Sequence, residues 1–346
     1  METVWFCLVA AMMAAYVILD GFDLGVGIVH FCVGRTESQR RHILRSIGPV
    51  WDGNEVWLIA AGGTLYFAFP GLYASSFSGL YLALMMVLWL LILRGLSIEF
   101  RNHIHSPVWK PFWDAVFTGA SALLALVFGI AAGNVVRGVP LDASGYFFLP
   151  LWTDFRLGRE VGILDWYTLL VGLLAFLTLT QHGALWVALK TEDVLRQRAQ
   201  RVAAFAWLGV AGLTLIITGL TLRIQPQVSA NLNGHPWGYL FPALALSGLL
   251  GTLRSLTRRK DLKAFLSSCA YIAGMLSSAA FGLFPYVLPS NIDPRLGLTI
   301  YNTATTRYGL LVGLAWWIPG MLLVLGYFVF AYRHFAGKVQ PEREGY

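Results

Sequence analysis

Charge is what this chain has least of. Only 12% of its 346 residues are Asp, Glu, Lys or Arg, about half the roughly 25% usual in soluble domains. Hydrophobic residues make up 57%, and the mean hydropathy is +0.64. This composition excludes a water-soluble globular protein and leaves an integral membrane protein. Cysteine is scarce as well. Cys7, Cys32 and Cys269 show no C-x-x-C spacing and lie in or beside apolar runs, which supports neither a disulfide framework nor a thiolate metal site; they read as small core residues. A P-loop, a nucleophile elbow and a clustered His/Cys/Asp metal site are missing from the sequence, as are a fixed-period repeat and a low-complexity tract. The start, Met1-Glu2-Thr3-Val4-Trp5, lacks the basic region of a cleavable signal, and the apolar run behind it is too long for one. The first hydrophobic stretch is therefore expected to stay as a membrane helix. A net charge of +7 could suggest nucleic acid, but the basic residues stand in short clusters between apolar runs. That is a topology signal rather than a polyanion site, and no nucleic-acid partner is expected.

What the chain does have is long apolar runs, each near the roughly 20 residues that cross a bilayer as a helix. They lie at about 3–33, 50–69, 72–93, 112–133, 163–189, 203–222, 237–253, 264–288 and 309–332. The expectation is one all-α membrane domain over 1–346 with nine spans. The seventh run is short and contains Pro242, so the basic residues decide whether it counts. With nine spans and the N-terminus outside, 19 of the 25 Lys and Arg residues face inward and six outward. Dropping the seventh would place the Arg254 to Lys263 cluster in an outer loop and the C-terminus outside, against the positive-inside rule. Nine spans with Met1 outside and Tyr346 cytoplasmic is the favoured topology. The stretch 134–162 reads as an outer loop with an interfacial piece around Tyr146 to Trp152. A second outer stretch, 289–308, carries hydroxyls and amides that enter the membrane only if protein surrounds them.

Chemistry concentrates in a few places. Asp20 and Asp23, in Leu19-Asp20-Gly21-Phe22-Asp23-Leu24-Gly25-Val26-Gly27, are three apart and share a helical face. An aspartate near the bilayer centre costs roughly 3 kcal/mol on insertion scales and is by default a functional candidate. The structural alternative is a hydrogen-bonding pair that glues helices, with the glycines allowing close approach. In the second span, Asp52 followed by Glu55 resembles a capping box, a role compatible with function. Arg94 and Glu99 end the third span; Arg94 can neutralise a buried carboxylate if the three helices are neighbours, or it snorkels to the interface. Glu99, Asp52, Asp23 and Asp20 would then form a trail of carboxylates from the cytoplasm to mid-membrane, the material of proton relays, with Glu55 beside it. Of the seven histidines, His182 in the fifth span is the one expected inside, and a lone histidine gives little support to haem ligation by this chain. Trp51 and Trp57 read first as belt or packing residues, and could also line a cofactor or gas path in a partner interface.

Two strings carry a resemblance. Asp20-Gly21-Phe22-Asp23-Leu24-Gly25-Val26-Gly27 and Gly48-Pro49-Val50-Trp51-Asp52-Gly53-Asn54-Glu55-Val56-Trp57-Leu58-Ile59 resemble the signature of subunit II of the cytochrome bd-type quinol oxidases. Further matches at Phe69-Pro70, Arg94 to Arg101, Thr180-Gln181, Ala188 to Thr191, Phe284-Pro285, Leu288 to Ser290 and Leu298-Thr299 spread the likeness over the whole chain.

The resemblance implies nine helices in the bacterial cytoplasmic membrane and a heterodimer. The partner, subunit I, would ligate haem b and haem d and carry the quinol-oxidising loop, while this chain ligates no haem and is inactive alone. The complex would oxidise quinol at the outer face and reduce dioxygen to water with cytoplasmic protons, building a proton-motive force without pumping. Asp23, Asp52 and Arg94 match positions tied to the haem-side structure and a proton path, and Trp57 matches a tryptophan near an oxygen route. A quinone bound in this subunit and a small accessory single-span subunit are left open by the likeness, alongside the lipids around it. The competing reading from the residues is a proton-coupled secondary transporter, which would use the same intramembrane acids; the missing internal repeat counts against it.

Overall fold

A computed structural model describes residues 1–104 and 106–339, so Arg343 and Tyr346 of the topology argument, and His105 among the seven histidines, lie outside the described residues. Among these residues the chain is almost wholly helical: α1 (Glu2–Val33), α2 (Glu37–Arg45), α3 (Trp51–Ala68), α4 (Pro70–Gly79), α5 (Tyr81–Phe100), α6 (Trp109–Arg137), α7 (Trp166–Lys190), α8 (Asp193–Ile224), α9 (Pro226–Gly234), α10 (Leu240–Thr257), α11 (Asp261–Leu283) and α12 (Arg307–His334). A short antiparallel pair, β1 (Tyr286–Leu288) and β2 (Leu298–Thr299), lies between α11 and α12. Eight helices are long and apolar enough to cross a membrane, and the bent pair α3 and α4 makes a ninth if it counts as one span.

The centre of the bundle is α1, which packs on α3, α6, α7, α8 and α11. Small residues set that closeness. A Cβ on Gly25 would fall 2.0 Å from the Leu179 carbonyl oxygen, and one on Gly183 would fall 2.1 Å from the Gly25 carbonyl carbon. The α1 and α7 backbones therefore touch where both residues are glycine, the small-residue contact that membrane helices use in place of a hydrophobic driving force. By contrast α12 is hardly packed: 6% of its most apolar window is buried, against 17% to 56% for the other spans.

Several expected elements are placed differently. The run 72–93 is not one helix. Pro70 opens α4 at its first position while Phe69 sits at φ −131, ψ 63 outside the helical region, because proline has no N–H to continue the α3 ladder. The chain bends by 119° there, and the spanning helix α5 starts only at Tyr81 and runs to Phe100. The eighth span stops at Leu283 rather than 288. Phe284 is extended at φ −50, ψ 136, as the residue before a proline tends to be, and 286–288 is strand β1. The stretch around Tyr146 to Trp152 is irregular, and Trp152 bridges Leu164. At that end of the bundle, Arg137 is buried and donates to Asp165, Asn134 Oδ1 and the Gly162 carbonyl. This fastens the 138–165 loop to α6 and α7.

Candidate functional site

The site begins on α1. Asp20 and Asp23 are both fully buried, on the face the three-residue spacing dictates. Arg94, on α5 and equally buried, donates Nη1 to Asp20 Oδ2 at 2.9 Å and Nη2 to Asp20 Oδ1 at 2.5 Å. This is the parallel two-point geometry that suits a guanidinium to a carboxylate. Asp23 has a different partner, Asn54 of α3, whose Nδ2 donates to Asp23 Oδ2 at 2.7 Å. Asn54 is itself held by Tyr332 of α12, whose hydroxyl donates to Asn54 Oδ1 at 2.9 Å. Four buried polar atoms close to this core have no protein partner: Asp23 Oδ1, Arg94 Nε, Trp57 Nε1 and the Tyr16 hydroxyl. Tyr16 lies one helical turn from Asp20, and Trp57 packs edge to face on Phe328 at 5.6 Å.

The structure thus brings Asp20, Asp23 and Arg94 together. Glu55 is half-buried, Asp52 is exposed in the first turn of α3, and Glu99 is exposed at the end of α5. The capping box expected from Asp52 and Glu55 does not form: α3 is capped at Val50 and makes no side-chain cap bond. A capping box does close α7, where Asp165 accepts from Thr168 N and Thr168 Oγ1 accepts from Asp165 N. Glu99 stands apart from the buried cluster because its side of α5 faces outward.

Two residues of the core were not singled out from sequence, Asn54 and Tyr332. Asn54 stands inside the Asp52-Gly53-Asn54-Glu55 string, two residues from one flagged acid and next to the other, and a helix turns it to the opposite side. Tyr332 gives no signal in sequence, because a tyrosine near a membrane helix end reads as an interfacial anchor.

Histidine placement also needs correction, since His30 is as buried as His182. It lies in the last turn of α1, where its Nε2 pairs with Asp114 of α6 at 2.8 Å. Asp114 is the hub of a second ionic cluster, accepting from Arg40 Nε at 2.9 Å and Arg101 Nε at 2.6 Å. That cluster clasps α1, α2, α5 and α6 at one end of the bundle. His182 uses both ring nitrogens, toward Ser268 Oγ at 2.7 Å and the Ile18 carbonyl at 2.9 Å, and stacks on Phe265. The two imidazoles are each hydrogen-bonded within a different cluster, so these residues do not fit a bis-histidine haem. No group of three or more His, Cys, Asp or Glu among the described residues could hold a metal ion.

Comparison with known proteins places this arrangement. Residues 1–335 match the family described as cytochrome bd terminal oxidase subunit II. The chain is 32% identical to a probable cytochrome oxidase subunit 2 of Haemophilus influenzae, over 97% of this chain and 94% of that one. It is 30% identical to cytochrome bd-I ubiquinol oxidase subunit 2 of Escherichia coli, over 98% and 95%, and 28% identical to cytochrome bd ubiquinol oxidase subunit 2 of Bacillus subtilis, over 98% and 97%. A chain in the solved structure of the bd oxidase from Geobacillus thermodenitrificans shares the fold, with a TM-score of 0.76 at 19% identity, covering 96% of this chain and 98% of that one.

Proposed function

Because the chain belongs to the cytochrome bd terminal oxidase subunit II family, we propose that its buried carboxylates supply protons to a dioxygen-reducing centre held by its partner. The chain is a multi-pass subunit of a terminal quinol oxidase in the bacterial inner membrane, acting in complex with subunit I. Complexes of this family carry haems; haem b and haem d belong to subunit I in this reading. They supply the electron transfer and oxygen chemistry, while this chain handles charge and protons.

The observation that carries the proton reading is the charge count at mid-helix. One cation, Arg94, faces two carboxylates, and both of its parallel bonds go to Asp20. Asp23 receives only a neutral amide. An isolated buried charge is costly, so Asp23, the carboxyl that no cation contacts, is in this reading the one that carries a proton. Oδ2 of Asp23 is engaged, which leaves Oδ1 as the oxygen that gains and loses that proton. The topology with Met1 outside and the C-terminus inside puts the start of α3 at the cytoplasm. Asp52 then meets water, and Glu55, three residues on along the same face, leads toward Asp23 and Asp20. Protons taken from the cytoplasm while quinol is oxidised at the outer face build a proton-motive force without a pump.

The docking side for subunit I follows from α12. A helix with 6% of its apolar window buried has not found its packing partner within this chain, and α5 at 17% is next. Subunit I covers this side, with Trp57 close to the contact on an oxygen route. No observation favours the transporter reading. Purification through a tag on this chain tests the assignment: a haem-bearing partner, an optical spectrum with haems b and d, and quinol-dependent oxygen uptake are expected. A colourless single chain from cells that also express subunit I would overturn it.

A further inference from the structure

Beside Asp23 stand two residues that the carboxylate trail does not use, and they act on it in series. Tyr332 comes from α12 and Asn54 from α3, and they meet Asp23 of α1 in the order Tyr332 hydroxyl, Asn54 amide, Asp23 carboxyl, with contacts of 2.9 and 2.7 Å. A cavity of about 370 Å³ at the α12 C-terminal end is lined by Tyr332, Trp186, Lys190 and Lys338 among others. The chain of hydrogen bonds thus runs from the wall of that cavity to a buried acid.

The chemistry of an amide decides what such a chain can do. An amide has one accepting oxygen and one donating NH₂ group. The Tyr332 hydroxyl gives its only proton to Asn54 Oδ1, so the amide is fixed with Nδ2 toward Asp23. A proton passed along this line would land on the amide oxygen while another left the amide nitrogen for Asp23, turning Asn54 into its high-energy imidic-acid tautomer, so the neutral amide opposes transfer from the cavity side. The amide also spends Asp23 Oδ2 as an acceptor, and so leaves Oδ1, which has no protein partner, as the atom that exchanges. We propose that Asn54 and Tyr332 are positioning residues that close Asp23 to the α12 cavity and confine its proton exchange to Oδ1, the oxygen the amide does not engage. The pair makes proton delivery one-sided. It rests on the reading of Asp23 as a proton carrier.

The pair also ties α12, the most weakly packed helix, to the carboxylate. Without the tyrosine hydroxyl the Asn54 amide is free to turn over and present its oxygen to Asp23, where it accepts a hydrogen bond from the acid rather than donating one. Tyr332→Phe keeps the ring and its packing on Phe328 and Trp186 and removes only that hydroxyl. Asn54→Ala removes the amide itself.

The test uses the intact haem-loaded complex and two readouts, the pH profile of quinol-driven oxygen uptake and the infrared carboxylic-acid band. Asp23→Asn identifies the band that belongs to Asp23, by its loss, and independently tests the carrier reading. Tyr332→Phe and Asn54→Ala are expected to shift that band, to move the pH at which turnover falls by half, and to cut turnover by about fivefold, the order of one lost hydrogen bond between neutral groups. If Asp23→Asn slows turnover while both variants keep the wild-type band and pH profile, the positioning role is wrong and the carrier reading stands, even if the variants assemble less well. If Asp23→Asn itself turns over at the wild-type rate, the carrier reading fails and the pair's role with it.

Discussion

Arg94 and Asp20 meet in two parallel hydrogen bonds, 2.9 and 2.5 Å long, with neither side chain exposed to solvent. A guanidinium on α5 is thereby locked to a carboxylate on α1, although the two helix backbones are not close neighbours. Removing one partner of such a pair leaves a buried charge unpaired, at a cost of about 3 to 5 kcal/mol. Arg94→Gln is therefore expected to lower the amount of assembled complex. Arg94→Lys keeps the charge but loses the two-point geometry, and is expected to assemble better than Gln and less well than the wild type. Haem content of the purified membranes, read from the reduced optical spectrum, measures both. Equal haem in Arg94→Gln and wild type contradicts a structural need for the pair.

Gly25 and Gly183 allow α1 to lie against α7. A methyl group on Gly25 would sit 2.0 Å from a backbone oxygen, which no side-chain rotation relieves. Gly25→Ala is expected to force the helices apart at a cost of at least ~1 to 3 kcal/mol and to lower the thermal stability of the complex. Gly219→Ala on α8, where nothing lies within 4 Å, serves as the control and is expected to leave it unchanged. A fluorescence-detected melting curve of the detergent-solubilised complex separates the two.

The second ionic cluster also makes a prediction for pH. Glu37 on α2, outside the spans, is partly buried, which opposes ionisation, yet Arg41, Lys110 and Arg101 together outweigh that and hold its carboxyl below the ordinary range. A carboxylate with a lowered value in the folded state contributes stability above its ordinary pKa, and that stability is lost as pH falls through the lowered value. Hydrogen exchange of the α2 amides should accelerate, relative to α7, as the pH drops below the usual carboxylate range. In Glu37→Gln this acid-dependent step should vanish.

Much of the architecture was legible because long apolar runs report directly on a bilayer. The exceptions are local. The bend at Phe69 and Pro70 hides inside continuous hydrophobicity, where lipid and helix give the same composition on both sides of a break. The end of α11 hides for the same reason, since strand β1 is as apolar as the helix before it. Within the site, Asp20, Asp23 and Arg94 stood out because charge inside an apolar run is rare. Asn54 and Tyr332 did not, because uncharged polar residues cost little enough to be common there. His30 looked like a helix-end residue, and only the fold brings Asp114, 84 positions away, to its ring. The misread capping box at Asp52 shows the limit of a local motif, since the spacing was right but α3 begins at Trp51, leaving Asp52 already inside the first turn.

Subunit I should be lost when its docking side is charged. Trp316 and Leu323 of α12 are 79% and 77% exposed in the isolated chain, as residues awaiting a partner or lipid would be. Placing arginine at both positions adds roughly 2.5 to 3.5 kcal/mol per residue at membrane depth and breaks the contact. The pair of substitutions is expected to abolish co-purification of the haem-bearing partner. The same change at Leu215 of α8, 73% exposed on a helix outside the proposed docking side, would reduce insertion but leave the partner bound to whatever chain is made.

If Asp23 carries protons to the oxygen-reducing centre, its loss should show in the steady-state quinol oxidase turnover of Asp23→Asn across pH, measured on membranes whose haem content matches the wild type. Asn at this position keeps the volume and removes the exchangeable acid. Turnover is expected at least about tenfold below wild type, as befits the loss of a positioned proton donor, with no pH at which the rate recovers. Wild-type turnover at every pH, with haem intact, would contradict it and make the buried carboxylate a structural group.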